Sequence, residues 1–339
     1  MSTRVPVGAD RLRLIALVTL CCLLPLAAIW SVSLGATVLP LDSIINAIFA
    51  FDGSRDHLVV AAVRLPRVLA GLLVGGALAI AGAIMQAITN NPLASPGLLG
   101  INAGAAFAVV FTMSVFGTGA QGSLVWTAFA GAGAAAVLVS LFGSTGPMSG
   151  TPVKLVLAGA VLTAFLTSLT TAFLIMDRST LDSVRLWTAG SLTGRTMDEV
   201  RAVAPYMLAG LAAALVFPRQ LTVLSLGADV SRSLGQNPVF WRGVAAVIVI
   251  LLAGSAVALA GPIGFVGLIV PHIVRLTVGT DYKWIIPFAA AGGAFLVLSA
   301  DTLSRLLFAS QSFPVGVTMA TIGAPFFIWL ARTSPWGRS

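Results

Sequence analysis

Long apolar runs alternate with short polar connectors along the whole chain. Each run holds about 20 mainly apolar residues, the length that a helix needs to cross a hydrocarbon core of roughly 30 Å. Long strand-like alternation of apolar and polar positions is absent, so helices are predicted to satisfy the backbone hydrogen bonds. The pattern predicts ten spans, at residues 14–35, 65–88, 97–116, 122–142, 153–176, 200–217, 241–261, 263–280, 285–307 and 314–331.

The connectors are short and carry the glycine and proline clusters that typically interrupt helices, as in NNPLASPG (90–97) and GSTGPMSGTP (143–152). An all-α fold with a single transmembrane domain over residues 1–339 is therefore predicted. The first run begins at Leu14 and is longer than the apolar part of a signal peptide, so it is interpreted as a span.

Composition supports a multi-pass membrane protein whose surroundings are a lipid bilayer. Hydrophobic residues make up 58% of the chain, against roughly 45–50% in soluble domains. Cys21 and Cys22 are adjacent inside the first run, where they are interpreted as small apolar residues; a lipoprotein signal is the alternative, and VTLC matches it poorly. A disulfide framework is not predicted.

The net charge of +8 is spread between the apolar runs and is not clustered with aromatic residues, so a nucleic-acid partner is not expected. Ten spans put both termini on one side of the membrane, and basic residues at both ends place that side in the cytoplasm. Eight basic residues nevertheless fall on the outer side: Arg55, Arg64, Arg67, Arg178, Arg185, Arg195, Arg201 and Arg305.

Catalytic and energy-coupling motifs are missing. A phosphate-binding loop needs GxxxxGK before Ser or Thr, and neither Lys154 nor Lys283 follows a glycine. His57 and His272 lack ligand-spaced partners, so no metal site is predicted. Asp301 lies one helical turn before Arg305, which favours a local ion pair over a proton relay. A separate subunit is therefore expected to supply the energy.

Motifs over nearly the whole chain resemble the FecCD-type permeases, the membrane subunits of ABC importers for ferric siderophores, haem and vitamin B12. They occur in the family's order: RLPRVLAGLLVGGALAIAGAIMQAITNNPLASPGLLGINAGAA (64–106), KLVLAGA (154–160), LWTAGSL (186–192), LSLGADVSRSLG (224–235), ALAGPIGFVGLIVPHIVRL (258–276), ADTLSRLL (300–307) and FPVGVTMATIGAPFFIWL (313–330).

This resemblance implies a type II ABC importer permease fold of ten helices in the bacterial cytoplasmic (inner) membrane. The implied partners are a second permease, identical or related, two cytoplasmic ATPase subunits that hold ATP and Mg, and a periplasmic substrate-binding protein. The chain itself is then a translocation subunit without cofactors and not an enzyme.

The resemblance also implies an outer docking site. Arginines that match Arg64, Arg67 and Arg305 receive glutamates from the binding protein in the family's vitamin B12 importer. Arginine suits this task because its planar group pairs a carboxylate through two hydrogen bonds. Helix-end anchoring at the membrane surface is the alternative reading.

On the cytoplasmic side, the resemblance implies that residues 224–236 form short coupling helices against an ATPase; an ordinary loop is the alternative. Many relatives have an acid-rich start here, which this chain lacks. The implied contact residues are Gly227, Ala228, Asp229, Ser231, Arg232, Leu234 and Gly235.

A cytoplasmic gate is implied at Asn91 and Leu93 and, where relatives carry small hydroxyl residues, at Pro152 and Val153. Asn91 could instead only turn the chain beside Pro92. The fifth and tenth spans would line the path, with Thr163, Thr167, Thr170 and Thr171 as weak polar contacts.

The resulting hypothesis is a permease that moves a ferric siderophore or similar large metal chelate inward. NNPLASPGLLGINAGAA (90–106) favours siderophores, while haem and vitamin B12 stay open. The rivals are an ion-coupled secondary transporter and a membrane-embedded enzyme.

Overall fold

The structure is a computed structural model that describes residues 9–35, 38–117, 124–145, 152–307 and 313–333. These residues form α-helices with short connections and contain no β-strand. The helices are α1 Ala9–Ser33, α2 Leu41–Phe49, α3 Arg55–Val59, α4 Leu65–Thr89, α5 Ile101–Phe116, α6 Leu124–Ser144, α7 Pro152–Met176, α8 Arg178–Thr188, α9 Met197–Val216, α10 Pro218–Ser225, α11 Ala228–Ser233, α12 Pro238–Val249, α13 Ser255–Ala260, α14 Val266–Val278, α15 Tyr282–Leu307 and α16 Val315–Thr333.

The ten predicted spans are confirmed. Within the described residues seven helices are long and apolar enough to cross a membrane, and three shorter apolar helices (α5, α14 and α16) occupy the remaining predicted positions. Helix α12 continues through a π-helical turn into α13, so this pair forms one span, Pro238–Ala260. The chain is therefore a multi-pass membrane protein.

Two antiparallel helices, α4 and α15, form the centre of the bundle. Three contacts fix their register: Arg67 pairs with Asp301, Gly75 meets Gly293, and the Tyr282 hydroxyl donates to the Ala83 carbonyl. A Cβ added at Gly75 would collide with the Gly293 carbonyl, so the two backbones touch directly. Small residues permit this close approach in membranes, where packing replaces the hydrophobic effect between helices.

One helix extends beyond the membrane. Helix α3, a π-helical turn at Val60–Arg64 and α4 form a continuous helix, Arg55–Thr89, of 35 residues. At 1.5 Å per residue it is roughly 52 Å long, well above the hydrocarbon thickness of roughly 30 Å. Its first turns carry Arg55, Asp56 and Arg64 and are therefore expected to extend beyond the hydrocarbon layer, next to the short helix α2.

The eighth span begins later than predicted. Residues 263–265 belong to the expected span 263–280, but α14 starts only at Val266. Gly261 adopts φ 72° and Phe265 adopts φ 67°, values that an α-helix cannot contain. A Cβ added at Gly323 of α16 would meet the Phe265 ring, so a glycine provides the space for this turn.

Candidate functional site

The three predicted docking arginines lie together at one end of the bundle. Arg64, Arg67 and Arg305 line one cavity of about 570 Å³, which also contacts residues 38–40, just before α2, and helix α3. We call these three residues and Asp301 the arginine cluster. Since α4 and α15 are antiparallel, the cluster brings the start of α4 next to the end of α15.

Asp301 joins two of the three arginines. Arg67 Nη2 lies 2.8 Å from Oδ1 of Asp301, and Arg67 Nε lies 3.0 Å from Oδ2. Arg305 Nε is 3.2 Å from Oδ2, close enough for an ion pair although its N–H is not aligned for a hydrogen bond. The predicted Asp301–Arg305 pair is confirmed, and the contact with Arg67, 234 residues away in sequence, was not predicted.

Arg64 and Arg305 also cap the end of α1. Arg64 Nη1 donates to the carbonyls of Val32 and Ser33, at 2.6 and 2.9 Å. Arg305 Nη1 donates to the carbonyls of Ser31 and Leu34, at 3.1 and 2.7 Å. The last carbonyls of a helix lack internal partners and carry partial negative charge, so two cations stabilise them well.

The cluster keeps a surplus of positive charge after these contacts. Three arginines face one buried carboxylate, which leaves two positive charges, and Arg55 and Asp56 on the same cavity offset one another. Side-chain exposure is 14% for Arg67 and 15% for Arg305, and Arg64 is 7% exposed. The structure brings the predicted residues together, and their docking role stays a prediction.

A second pair of ionisable side chains, His57 and Asp52, lies near this end, in α3 and in the turn between α2 and α3. Nδ1 of the buried His57 is 2.7 Å from Oδ1 of the exposed Asp52. The backbone N–H of Ser54 donates to Asp52 at 2.8 Å and, with the Ser54 hydroxyl, lowers the pKa of Asp52 below its usual value. Among the described residues no three His, Cys, Asp or Glu side chains cluster closely enough to hold a metal.

The predicted coupling segment lies at the opposite end. Residues 224–236 begin at the end of α10 and contain a turn at Gly227 with φ 101°, helix α11, and a second turn at Gly235 with φ 76°. Ser231 is fully buried and its hydroxyl donates to the Val223 carbonyl at 2.9 Å, which holds α11 against α10. One short helix, α11, lies within residues 224–236, and its role in coupling stays a prediction.

Three apolar side chains of this segment face outward. Leu226, Val230 and Leu234 are 54%, 45% and 61% exposed. Val230 and Leu234 are one helical turn apart and lie on one face, while Leu226 precedes the turn at Gly227. Asp229 and Arg232 are exposed beside this face and pair with each other at 2.9 Å. Gly227 and Ala228 are half-buried, while Gly235 is exposed. Contiguous exposed apolar groups of this kind commonly mark protein contacts.

The first gate position is a tight turn after α4. Asn90 ends the helix with φ 49°, and the side-chain oxygen of Asn91 accepts a hydrogen bond from the Leu93 backbone N–H at 2.9 Å. Asn91 therefore turns the chain, as the alternative reading held, and its gating role stays a prediction. Leu93 is exposed, α7 begins at Pro152, and Val153 is 68% exposed.

Helix α7, the fifth span, is less buried than the other long described spans apart from α1. Only 11% of an 18-residue apolar stretch of this helix is buried. Thr167 and Thr171 are exposed, Thr163 is half-buried and Thr170 is buried. The Thr170 and Thr171 hydroxyls donate to carbonyls one turn earlier in the same helix, so they add little polarity to the surface of α7.

Comparison with known proteins identifies close relatives. The profile of the FecCD transport family matches residues 23–333. The probable siderophore transport system permease protein YfiZ of Bacillus subtilis is 42% identical over 94% of this chain and 96% of its own. The ferric enterobactin transport system permease protein FepD of Escherichia coli is 41% identical over 94% and 96%.

A solved structure shares the fold. It is described as an inward-facing conformation of a metal-chelate type ABC transporter, and it superimposes with a TM-score of 0.82 at 26% identity. The match covers 94% of this chain and 99% of that chain. The predicted fold class is thereby confirmed.

Proposed function

The chain belongs to the FecCD transport family, and from this we propose that it is the permease subunit of an ABC importer for ferric siderophores or similar iron chelates. The observation that carries the proposal is the similarity to siderophore permeases over 94% of the chain. The fold adds support, because its relative in the solved structures is a metal-chelate type transporter. Haem and vitamin B12 are the alternative cargoes within the same family.

The proposed energy source is a pair of ATPase subunits at the coupling end. The chain carries no phosphate-binding loop of its own. The exposed side chains of Leu226, Val230 and Leu234 are apolar and suit a cleft on a partner protein. This end is proposed to face the cytoplasm together with both chain termini, and the membrane is proposed to be the bacterial cytoplasmic membrane.

The opposite end is proposed to receive a substrate-binding protein. The arginine cluster offers two surplus positive charges beside an open cavity, and guanidinium groups recognise carboxylates through paired hydrogen bonds. A cationic rim of this kind also accelerates the approach of an acidic protein and orients it. A second permease, identical or related, would cover part of the exposed surface of α7 and α16.

An ion-coupled carrier is the rival function. Within the part of the chain that the structure describes, Asp301 is the buried carboxylate that such a mechanism would use, but it is held by two arginines. A carboxylate held by two arginines is part of a structural ion-pair network, which does not favour a role as an ion relay.

Uptake by proteoliposomes tests the proposal. The assembled transporter with ATP inside and its binding protein outside is expected to accumulate a radioactive ferric siderophore, and omission of the ATPase or of ATP should abolish uptake. An ionophore should have no effect. Uptake by the permease alone, collapsing with an ionophore, would instead show an ion-coupled carrier.

A further inference from the structure

Asp301 is a charged side chain in an unusual place. It lies on the inner face of α15, is 1% exposed, and is surrounded by the packed start of α4. A buried carboxylate is costly unless cations and hydrogen-bond donors surround it. Its partners are therefore expected to be held as firmly as Asp301 itself.

Asp301 occupies one particular edge of the Arg67 guanidinium. Nε and Nη2 of Arg67 both donate to the carboxylate, at 3.0 and 2.8 Å. Nη1 has no hydrogen-bond partner among the described residues, and Arg67 lines the cavity. A planar guanidinium held by one edge keeps its outer edge free for a second carboxylate, and it cannot rotate away from it.

Arg305 is fixed in a similar manner. Its Nε faces Asp301 at 3.2 Å, and its two terminal nitrogens bond to Ser31 and Leu34 of the α1 end and to Thr302. Asp301 thus holds two arginines from opposite helices at a set spacing.

We propose that Asp301 is a positioning residue for docking: it orients Arg67 and Arg305 so that Arg67 presents a free edge to a carboxylate of the binding protein. The proposal rests on the proposed function, since it assumes an acidic partner at this end. Charge alone predicts the opposite effect of losing Asp301. Asp301 is negative and reduces the attraction for an acidic partner, yet its loss is expected to weaken docking.

Substitution Asp301→Asn separates the two effects. It raises the charge of the cluster by one unit, so long-range attraction alone predicts tighter docking. The Asn amide, however, places N–H donors against the N–H donors of Arg67, so the paired hydrogen bonds that hold the Arg67 guanidinium are lost. We expect docking about tenfold weaker, because contacts within one hydrogen-bonded network commonly couple by this amount.

Two further variants complete the design. Asp301→Glu keeps the charge but moves the carboxylate by one methylene. A positioning role therefore predicts weaker docking, whereas an effect of charge alone predicts unchanged docking. Asp198→Asn is the matched control, because Asp198 lies at the same end and its side chain is 93% exposed. It adds the same unit of charge without touching the cluster, and its docking should be unchanged or slightly tighter.

The measurement is the dissociation constant of the binding protein for the assembled transporter in lipid nanodiscs, taken over a series of salt concentrations. The proposal expects weaker docking for Asp301→Asn and Asp301→Glu, with a shallower salt dependence for Asp301→Asn than for Asp198→Asn. Substitution Arg67→Gln should then have little further effect in the Asp301→Asn background.

Docking of Asp301→Asn that equals or exceeds that of Asp198→Asn would overturn the positioning role while leaving the proposed function intact. Failure of the unaltered transporter to bind the protein would overturn the proposed function itself. If Asp301→Asn does not assemble, Asp301→Glu decides: unchanged docking would refute the proposal.

Discussion

Replacement of Gly75 by alanine tests the central packing of the molecule. Gly75 lies in the middle of α4, where the added Cβ would overlap the Gly293 carbonyl and lie 3.0 Å from Cα of Ala294. These are backbone atoms of α15 and cannot swing aside as a flexible side chain would. The two helices would have to separate by on the order of 1 Å, and the contacts on both sides would weaken.

The expected cost follows from two opposing effects. Overpacking of a tight contact costs about 1–3 kcal/mol. Alanine in place of glycine inside a helix returns up to about 1 kcal/mol. The net expectation is a destabilisation of about 1–2 kcal/mol, and a larger loss for Gly75→Leu.

Gly243→Ala is the matched control. Gly243 also lies inside a helix, α12, but an added Cβ there meets no heavy atom within 4 Å. The assay heats the purified protein in detergent and measures the fraction that stays monodisperse, at one heating rate because membrane proteins often unfold irreversibly. The control should be neutral or slightly stabilised, and Gly75→Ala should lose stability first. Equal midpoints for the two variants would refute the backbone contact between α4 and α15.

Two further substitutions test the two ends of the bundle. Arg64→Gln removes donors from the Val32 and Ser33 carbonyls and should cost about 1–3 kcal/mol of stability in the same heating assay; an unchanged midpoint would contradict the capping of α1. Leu234→Glu puts a charge on the outward apolar face and should reduce co-purification of the ATPase by roughly tenfold, whereas Ser233→Glu, an exposed neighbour, should not. Equal recovery of the ATPase with both variants would remove that face from the coupling surface.

The spans were predictable because a helix that crosses the bilayer requires a long apolar run, which is visible in the sequence. A helix inside the bilayer needs about 20 apolar residues, and the expected 65–88 and 285–307 match Leu65–Thr89 and Tyr282–Leu307 closely. Helices outside the bilayer carry no such signal. Helix α8 is 11 residues long and mostly polar, and it lies between the predicted spans 153–176 and 200–217.

The Arg67–Asp301 contact could not be predicted from local spacing. The rule that side chains four residues apart meet on a helix identified only Arg305 as a partner of Asp301. The contact with Arg67 requires that α4 and α15 be antiparallel neighbours in one particular register. The Gly75–Gly293 approach and the Tyr282–Ala83 hydrogen bond also depend on this register, and neither contact follows from local spacing in the sequence.

The structure also explains the surplus of basic residues at the end proposed to face outward. The topology rule counts the basic side chains in short loops and near the ends of the spans, and it takes no account of contacts within the fold. Several outer arginines are instead bound within the fold: Arg67 and Arg305 to Asp301, Arg64 and Arg305 to carbonyls of α1, and Arg195 to Glu199 and to the Leu259 carbonyl. Arginine suits these positions because its five donors can hold carbonyls and still pair a carboxylate, which lysine cannot do in one plane. These contacts account for four of the eight basic residues predicted on the outer side, so their presence there is compatible with the proposed cytoplasmic termini.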